Sequence, residues 1–159
     1  MKTFNPLNVS SKFAICGLPI RVDTYKNCSF GCKYCFSNSR VICEFEKSLQ
    51  VANLSSLEKR LHRIFDLNKV KENNFLETLI ANGITWHCGG MSDPFQPVEK
   101  KYRITEQMID ICNKYNISIL FSTKSDTTYG ANLNPDLHTF QLSVTNVNSN
   151  KLLEPAVPD

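Results

Sequence analysis

Three cysteines fall within the stretch Asn27-Cys28-Ser29-Phe30-Gly31-Cys32-Lys33-Tyr34-Cys35-Phe36, spaced CxxxCxxC. Such a loop can wrap three thiolates around one metal centre, because the spacers are short and Gly31 relieves backbone crowding at the turn. The chain has seven cysteines, an odd number with three crowded into one loop, so metal ligation is a better reading than a disulfide framework.

A chain of 159 residues with 42% apolar residues can bury a real core, and one domain is the default. The net charge of +3 is far from the basic stripe of a dedicated nucleic-acid binder and names no partner. No apolar run is long enough to span a membrane, and Met1-Lys2-Thr3-Phe4-Asn5-Pro6 lacks a signal core, so the expected location is cytoplasmic.

The elements that must position the cysteines follow from periodicity. Residues 1–12 are polar and read as an N-terminal arm, with one domain over 13–159. Phe13-Ala14-Ile15-Cys16 reads as a short extended piece closed by Gly17. Over 18–25, Ile20, Val22 and Thr24 alternate with Arg21, Asp23 and Tyr25, the period of a strand, and the cysteine loop leaves its end. Residues 41–51 read as an extended connector.

Ser55-Ser56-Leu57-Glu58 is a capping box, and Leu57, Leu61, Ile64 and Phe65 continue at helical spacing, which predicts a helix over about 56–66. A second helix is predicted over 74–81, with Phe75, Leu76, Leu79 and Ile80 inward and Asn82-Gly83 as its stop. A short strand over 84–88 runs into Gly89-Gly90-Met91-Ser92-Asp93-Pro94-Phe95-Gln96-Pro97, whose glycines and prolines exclude regular structure. Ile104, Met108, Ile111, Cys112 and Tyr115 mark a further helix face. Strands are predicted over 117–122 and 140–144.

Strands alternating with helices argue for βα units and a parallel sheet, in which ligands bind at the carboxyl ends of strands. Those ends carry the three cysteines, Gly89-Gly90, Lys124 and Ser143, so the polar and metal-binding groups are expected on one rim.

The cysteine loop, with Tyr34 before its last cysteine, resembles that of the radical S-adenosylmethionine enzymes. Ser92-Asp93-Pro94-Phe95-Gln96-Pro97-Val98-Glu99, a helix, and Ser122-Thr123-Lys124-Ser125 are similar to the branch related to spore photoproduct lyase, over about 13–158. The resemblance implies an α/β fold, the N-terminal part of a partial (β/α)6 TIM-like barrel with parallel strands. It also implies a [4Fe-4S] cluster on Cys28, Cys32 and Cys35, with S-adenosylmethionine on the open iron and reductive cleavage to a 5′-deoxyadenosyl radical.

By the same resemblance Gly89 and Gly90 meet the methionyl amino group, and Ser92 and Asp93 hydrogen-bond the methionyl end. Lys124 pairs with the carboxylate as a point charge, Ser143 accompanies it, and Tyr34 sits by the adenine. Each has a plainer alternative: a strand-ending turn for the glycines, loop capping for Ser92 and Asp93, a solvated lysine, a ladder hydroxyl for Ser143. The implied partners are an electron donor of the reduced flavodoxin or ferredoxin type and, by analogy with the branch, a nucleic-acid substrate.

Two departures stand out. Spore photoproduct lyase is expected to use a cysteine next to its Ser-Asp pair, where this chain has Met91; Cys88, three residues earlier, reads better as a core residue than as a displaced hydrogen-atom donor, and the catalytic residue is left unassigned. The chain also holds material for only about four of six βα units, which implies truncation, self-association through the strand near 140–144, or a completing polypeptide. The rival reading is a non-catalytic, truncated metal-binding module that holds a cluster or zinc, the zinc borrowing Cys16 or Cys43 as fourth ligand.

Overall fold

Short apolar runs interrupted by polar turns give two small sheets with helices packed on one of them. The structure is a computed structural model and describes residues 1–11, 14–37, 49–145 and 151–158. Phe13, Cys43 and most of the connector expected over 41–51 lie outside the described residues.

The segment expected as an arm forms two strands, β1 (Lys2–Phe4) and β2 (Leu7–Val9). Leu7 explains this: it is only 2% exposed and pairs in register with Val22. Ala14 and Ile15, expected in an extended piece, lie in an exposed turn. The strand expected over 18–25 divides into β3 (Ile20–Val22) and β4 (Tyr25–Lys26), because the chain bends at Asp23 and Thr24 and Tyr25 pairs elsewhere. The remaining strands are β5 (Gln50–Ala52), β6 (Trp86–Cys88), β7 (Ile119–Thr123) and β8 (His138–Leu142).

Five strands form one sheet in the order β2-β3-β6-β7-β8, with β3, β6, β7 and β8 parallel and β2 antiparallel to β3. The second sheet, β1-β5-β4, joins a parallel pair to an antiparallel one. The expected parallel (β/α)6 barrel is thus corrected: both sheets are mixed, and the described residues contain four α-helices. The cause lies at the edges. Unpaired strand groups take whatever segment reaches them, and Leu7–Val9 covers the edge of β3 by folding back antiparallel. β8 is the opposite edge, with Phe140 and Leu142 exposed.

Helix α1 (Leu54–Leu61) begins two residues earlier than the capping box predicts. Its cap is Asn53, whose side chain accepts from the Ser56 amide at 3.0 Å, and a π-helical turn (His62–Asp66) extends it. Helix α2 (Phe75–Ala81) is capped by Asn74, which accepts from the Glu77 amide at 3.1 Å. Phe75, expected inward, is its first residue and 51% exposed, ahead of the face that buries Ile80. Helices α3 (Glu99–Tyr102) and α4 (Ile104–Lys114) follow the glycine- and proline-rich loop. No helix among the described residues is long and apolar enough to cross a membrane.

Ile20, Val22, Trp86, Cys88, Ile119 and Phe121 form the core with Leu57, Leu61, Met108, Ile109 and Cys112, all at most 2% exposed. Each fully buried aliphatic or aromatic side chain contributes roughly 1.5–3 kcal/mol. Glu99 ties this core to the strand ahead of the cysteine loop. Its buried carboxylate accepts from the Tyr25 hydroxyl and from the amides of Thr105, at 3.1 Å, and Glu106, at 3.0 Å, so it anchors β4 to the first turn of α4.

Candidate functional site

The cysteine loop starts where β4 ends, and two residues of left-handed backbone turn it: Asn27 at φ 75° and Gly31 at φ 65°. The fully buried Gln96 holds it from behind. Its amide nitrogen donates to the Asn27 carbonyl at 3.0 Å, and its oxygen accepts from the Ser29 amide at 2.7 Å. Phe30 is buried beneath, and the Cys35 amide closes a turn onto the Cys32 carbonyl at 3.1 Å.

These contacts set Cys28, Cys32 and Cys35 on the wall of a cavity of about 190 Å³. None of the three is in a disulfide. Burial pushes the Cys28 thiol up to about 12, against hydrogen bonds from the backbone at Asp93 and Phe30. Burial also raises Cys32, helped by the charge of Glu154 and opposed by Lys124. Burial thus favours the neutral thiol at both sulfurs, and a bound metal would reverse that preference.

The opposite wall comes from the ends of β6, β7 and β8: Gly89, Gly90, Met91, Ser92 and Asp93, then Ser122, Thr123 and Lys124, then Ser143. Nine of the ten residues expected at the site therefore share one cavity. Tyr34, the tenth, is absent from its lining and half exposed beside it.

The two glycines differ. Gly89 has φ +106°, and a Cβ there would lie 1.9 Å from the Ser122 carbonyl oxygen, so its missing side chain is required by the neighbouring strand. A Cβ on Gly90 would make ordinary contacts of 3.5 Å with Arg21 and His87. Ser92 donates its hydroxyl to the Tyr25 carbonyl at 2.6 Å, which ties the loop back to β4.

Asp93 accepts from the Phe95 amide at 2.9 Å, the Thr123 hydroxyl at 2.7 Å and the Lys124 amide at 2.7 Å. Burial raises its carboxyl, and these hydrogen bonds work against the shift. Both residues thus spend these hydrogen bonds on shaping the wall.

Lys124 carries the positive charge of that wall. Its Nζ lies 2.7 Å from Glu154, 2.7 Å from the Thr145 hydroxyl and 3.3 Å from the Ser143 carbonyl, and 5.7 Å from the centroid of the Tyr34 ring. Burial works against the ammonium, but hydrogen bonds to Glu154 and Tyr34 outweigh it and raise its pKa. Burial likewise opposes the Glu154 carboxylate, yet its bonds to Lys124, Thr145 and Tyr34 hold it down at about 2.

Sequence reasoning missed Gln96, Thr145 and Glu154 as site residues. Glu154 approaches the loop only through the fold: the Lys33 amide donates to the Leu153 carbonyl at 2.9 Å, and the Ala156 amide to the Phe30 carbonyl at 3.3 Å. Met91 lines the cavity, whereas Cys88 is buried in the core at 1% exposure, its thiol held neutral by burial.

No group of three His, Cys, Asp or Glu among the described residues closes around a single metal ion. Cys28, Cys32 and Cys35 are the thiol donors on the cavity wall. The cavity is smaller than the roughly 300–1,000 Å³ of pockets that enclose a drug-sized ligand. In comparisons with known proteins the chain matches no family model, no curated protein and no solved structure.

Proposed function

We propose that the chain is an iron–sulfur protein of the radical S-adenosylmethionine type, with Cys28, Cys32 and Cys35 holding a [4Fe-4S] cluster. The observation that carries this reading is the convergence of the three cysteines with Gly89, Gly90, Ser92, Asp93, Lys124 and Ser143 on one cavity at the carboxyl ends of parallel strands. Three cysteine ligands would leave a coordination position open for S-adenosylmethionine, and the cluster, when bound and reduced, would supply the electron for reductive cleavage of the sulfonium.

The chain's own residues bind and orient. Gln96 fixes the cysteine loop, Asp93 sets the height of Lys124, and Lys124 offers its ammonium to a carboxylate at the cavity rim. The backbone at Gly89 and Gly90 stays open on the cavity side. An electron donor of the reduced flavodoxin or ferredoxin type completes the scheme. Anaerobic reconstitution tests the ligand set: wild type and Cys112→Ala take up iron and sulfide, and Cys32→Ala does not. Equal iron retention in both variants overturns it.

The Glu154–Lys124 pair favours a second reading, a metal-binding module that takes no cofactor because its lysine is already matched. Binding of S-adenosylmethionine to the reconstituted protein separates the two.

A further inference from the structure

We infer that Lys124, Tyr34 and Thr145 together form a carboxylate-recognition site, and that the chain's own Glu154 fills it as a competitor which an incoming carboxylate must displace. This rests on the reading of the cavity as a cofactor site and specifies how its rim admits the ligand.

Three donors converge on Glu154 Oε1: Lys124 Nζ at 2.7 Å, the Tyr34 hydroxyl and the Thr145 hydroxyl. They come from the end of β7, from the cysteine loop and from beyond β8, segments that share no local sequence. A lysine with two hydroxyls around one oxygen is a strong acceptor site for a carboxylate, because charge-assisted hydrogen bonds are roughly twice as strong as neutral ones. The Glu154 residue is 9% exposed, so the carboxylate sits in the site and does not wave beside it.

Besides Glu154 itself, the segment that delivers it meets the cysteine loop through its backbone and Pro155. The Lys33 amide reaches Leu153, the Ala156 amide reaches Phe30 at the long distance of 3.3 Å, and Pro155 Cγ would lie 3.6 Å from a Cβ on Gly31. Leu152 and Leu153 are 77% and 46% exposed, so little apolar burial adds to that hold. Residues 151–158 therefore act as a strap: docked, they occupy the carboxylate site, and lifted, they free Lys124 for a ligand.

The mechanism is a competition, in which a ligand's apparent affinity falls by the fraction of molecules with the strap lifted. The experiment measures S-adenosylmethionine binding by calorimetry on the cluster-loaded full chain, with hydrogen exchange of the Ala156 amide as a second readout. Glu154→Gln is expected to bind about tenfold tighter than wild type and to lose protection at Ala156 without ligand. Thr145→Val, which removes a donor and leaves the competitor, is expected to keep its cluster.

In wild type, added S-adenosylmethionine is expected to deprotect Ala156. Equal affinities for wild type and Glu154→Gln, or an Ala156 amide indifferent to ligand, overturn the competitor while the cofactor reading stands. If Glu154→Gln loses Ala156 protection and still binds no S-adenosylmethionine, the site and the cofactor reading fall together.

Discussion

Asp93, in the loop after β6, reaches the end of β7 and accepts the Lys124 amide on one carboxylate oxygen and the Thr123 hydroxyl on the other, both at 2.7 Å. The cationic side of the cavity thus hangs on a buried carboxylate that itself touches the cavity. Asp93→Asn places an amide donor against one of these two donors. The expected loss is about 1–3 kcal/mol of stability for an unsatisfied buried group, read by urea denaturation. Unchanged stability would show that the bonds do not hold the strand end.

The two glycines offer a contrast. Gly89→Ala forces a Cβ into the Ser122 carbonyl at a positive φ, a strain on the order of 1–3 kcal/mol before the clash is counted, and is expected to unfold or strongly destabilise the chain. Gly90→Ala has room and is expected to change stability by less than about 0.5 kcal/mol. Comparable melting of the two variants would contradict the assignment of Gly89 to the sheet.

Gln96→Leu removes both hydrogen bonds that hold the cysteine loop and leaves the Ser29 amide and Asn27 carbonyl without that partner. A loss of about 1–3 kcal/mol is expected, with iron uptake well below wild type. Full iron content in a destabilised variant would mean that the loop keeps its shape without Gln96.

Acid should separate Glu154 from the buried Asp23 and Asp93. Its folded pKa, about 2, lies below its ordinary 4.5, so its contribution is complete above 4.5 and lost as pH falls toward 2. Burial raises Asp23 and Asp93, so in their case acid relieves a cost. Wild type is therefore expected to exceed Glu154→Gln in stability at pH 6, with the gap closing between pH 4.5 and 2. A gap constant across that range would remove Glu154 from the ion pair.

What sequence made legible was local. Cys28, Cys32 and Cys35 stand close along the chain, and Lys124 and Ser143 fall at strand ends, where a parallel sheet collects its loops. Alternation found β3, but it could not reveal that Asp23 and Thr24 split a strand between two sheets, since the alternating pattern continues through them.

The antiparallel β2 was hidden in a polar segment whose fate depends on Leu7 reaching Val22. Glu154 meets Tyr34 across 120 residues, and no periodicity reports such a meeting. Gln96 was visible only as a polar residue between Phe95 and Pro97, the one available signal being its place in a loop that must turn beneath the cysteines.

The central claim is that the cysteine loop and the facing strand ends form one working site. It is tested most directly by supplying S-adenosylmethionine and dithionite to the anaerobically reconstituted chain and quantifying 5′-deoxyadenosine. The account predicts its release by wild type and none by Cys32→Ala. A wild-type chain that carries its full cluster and releases no 5′-deoxyadenosine would contradict it.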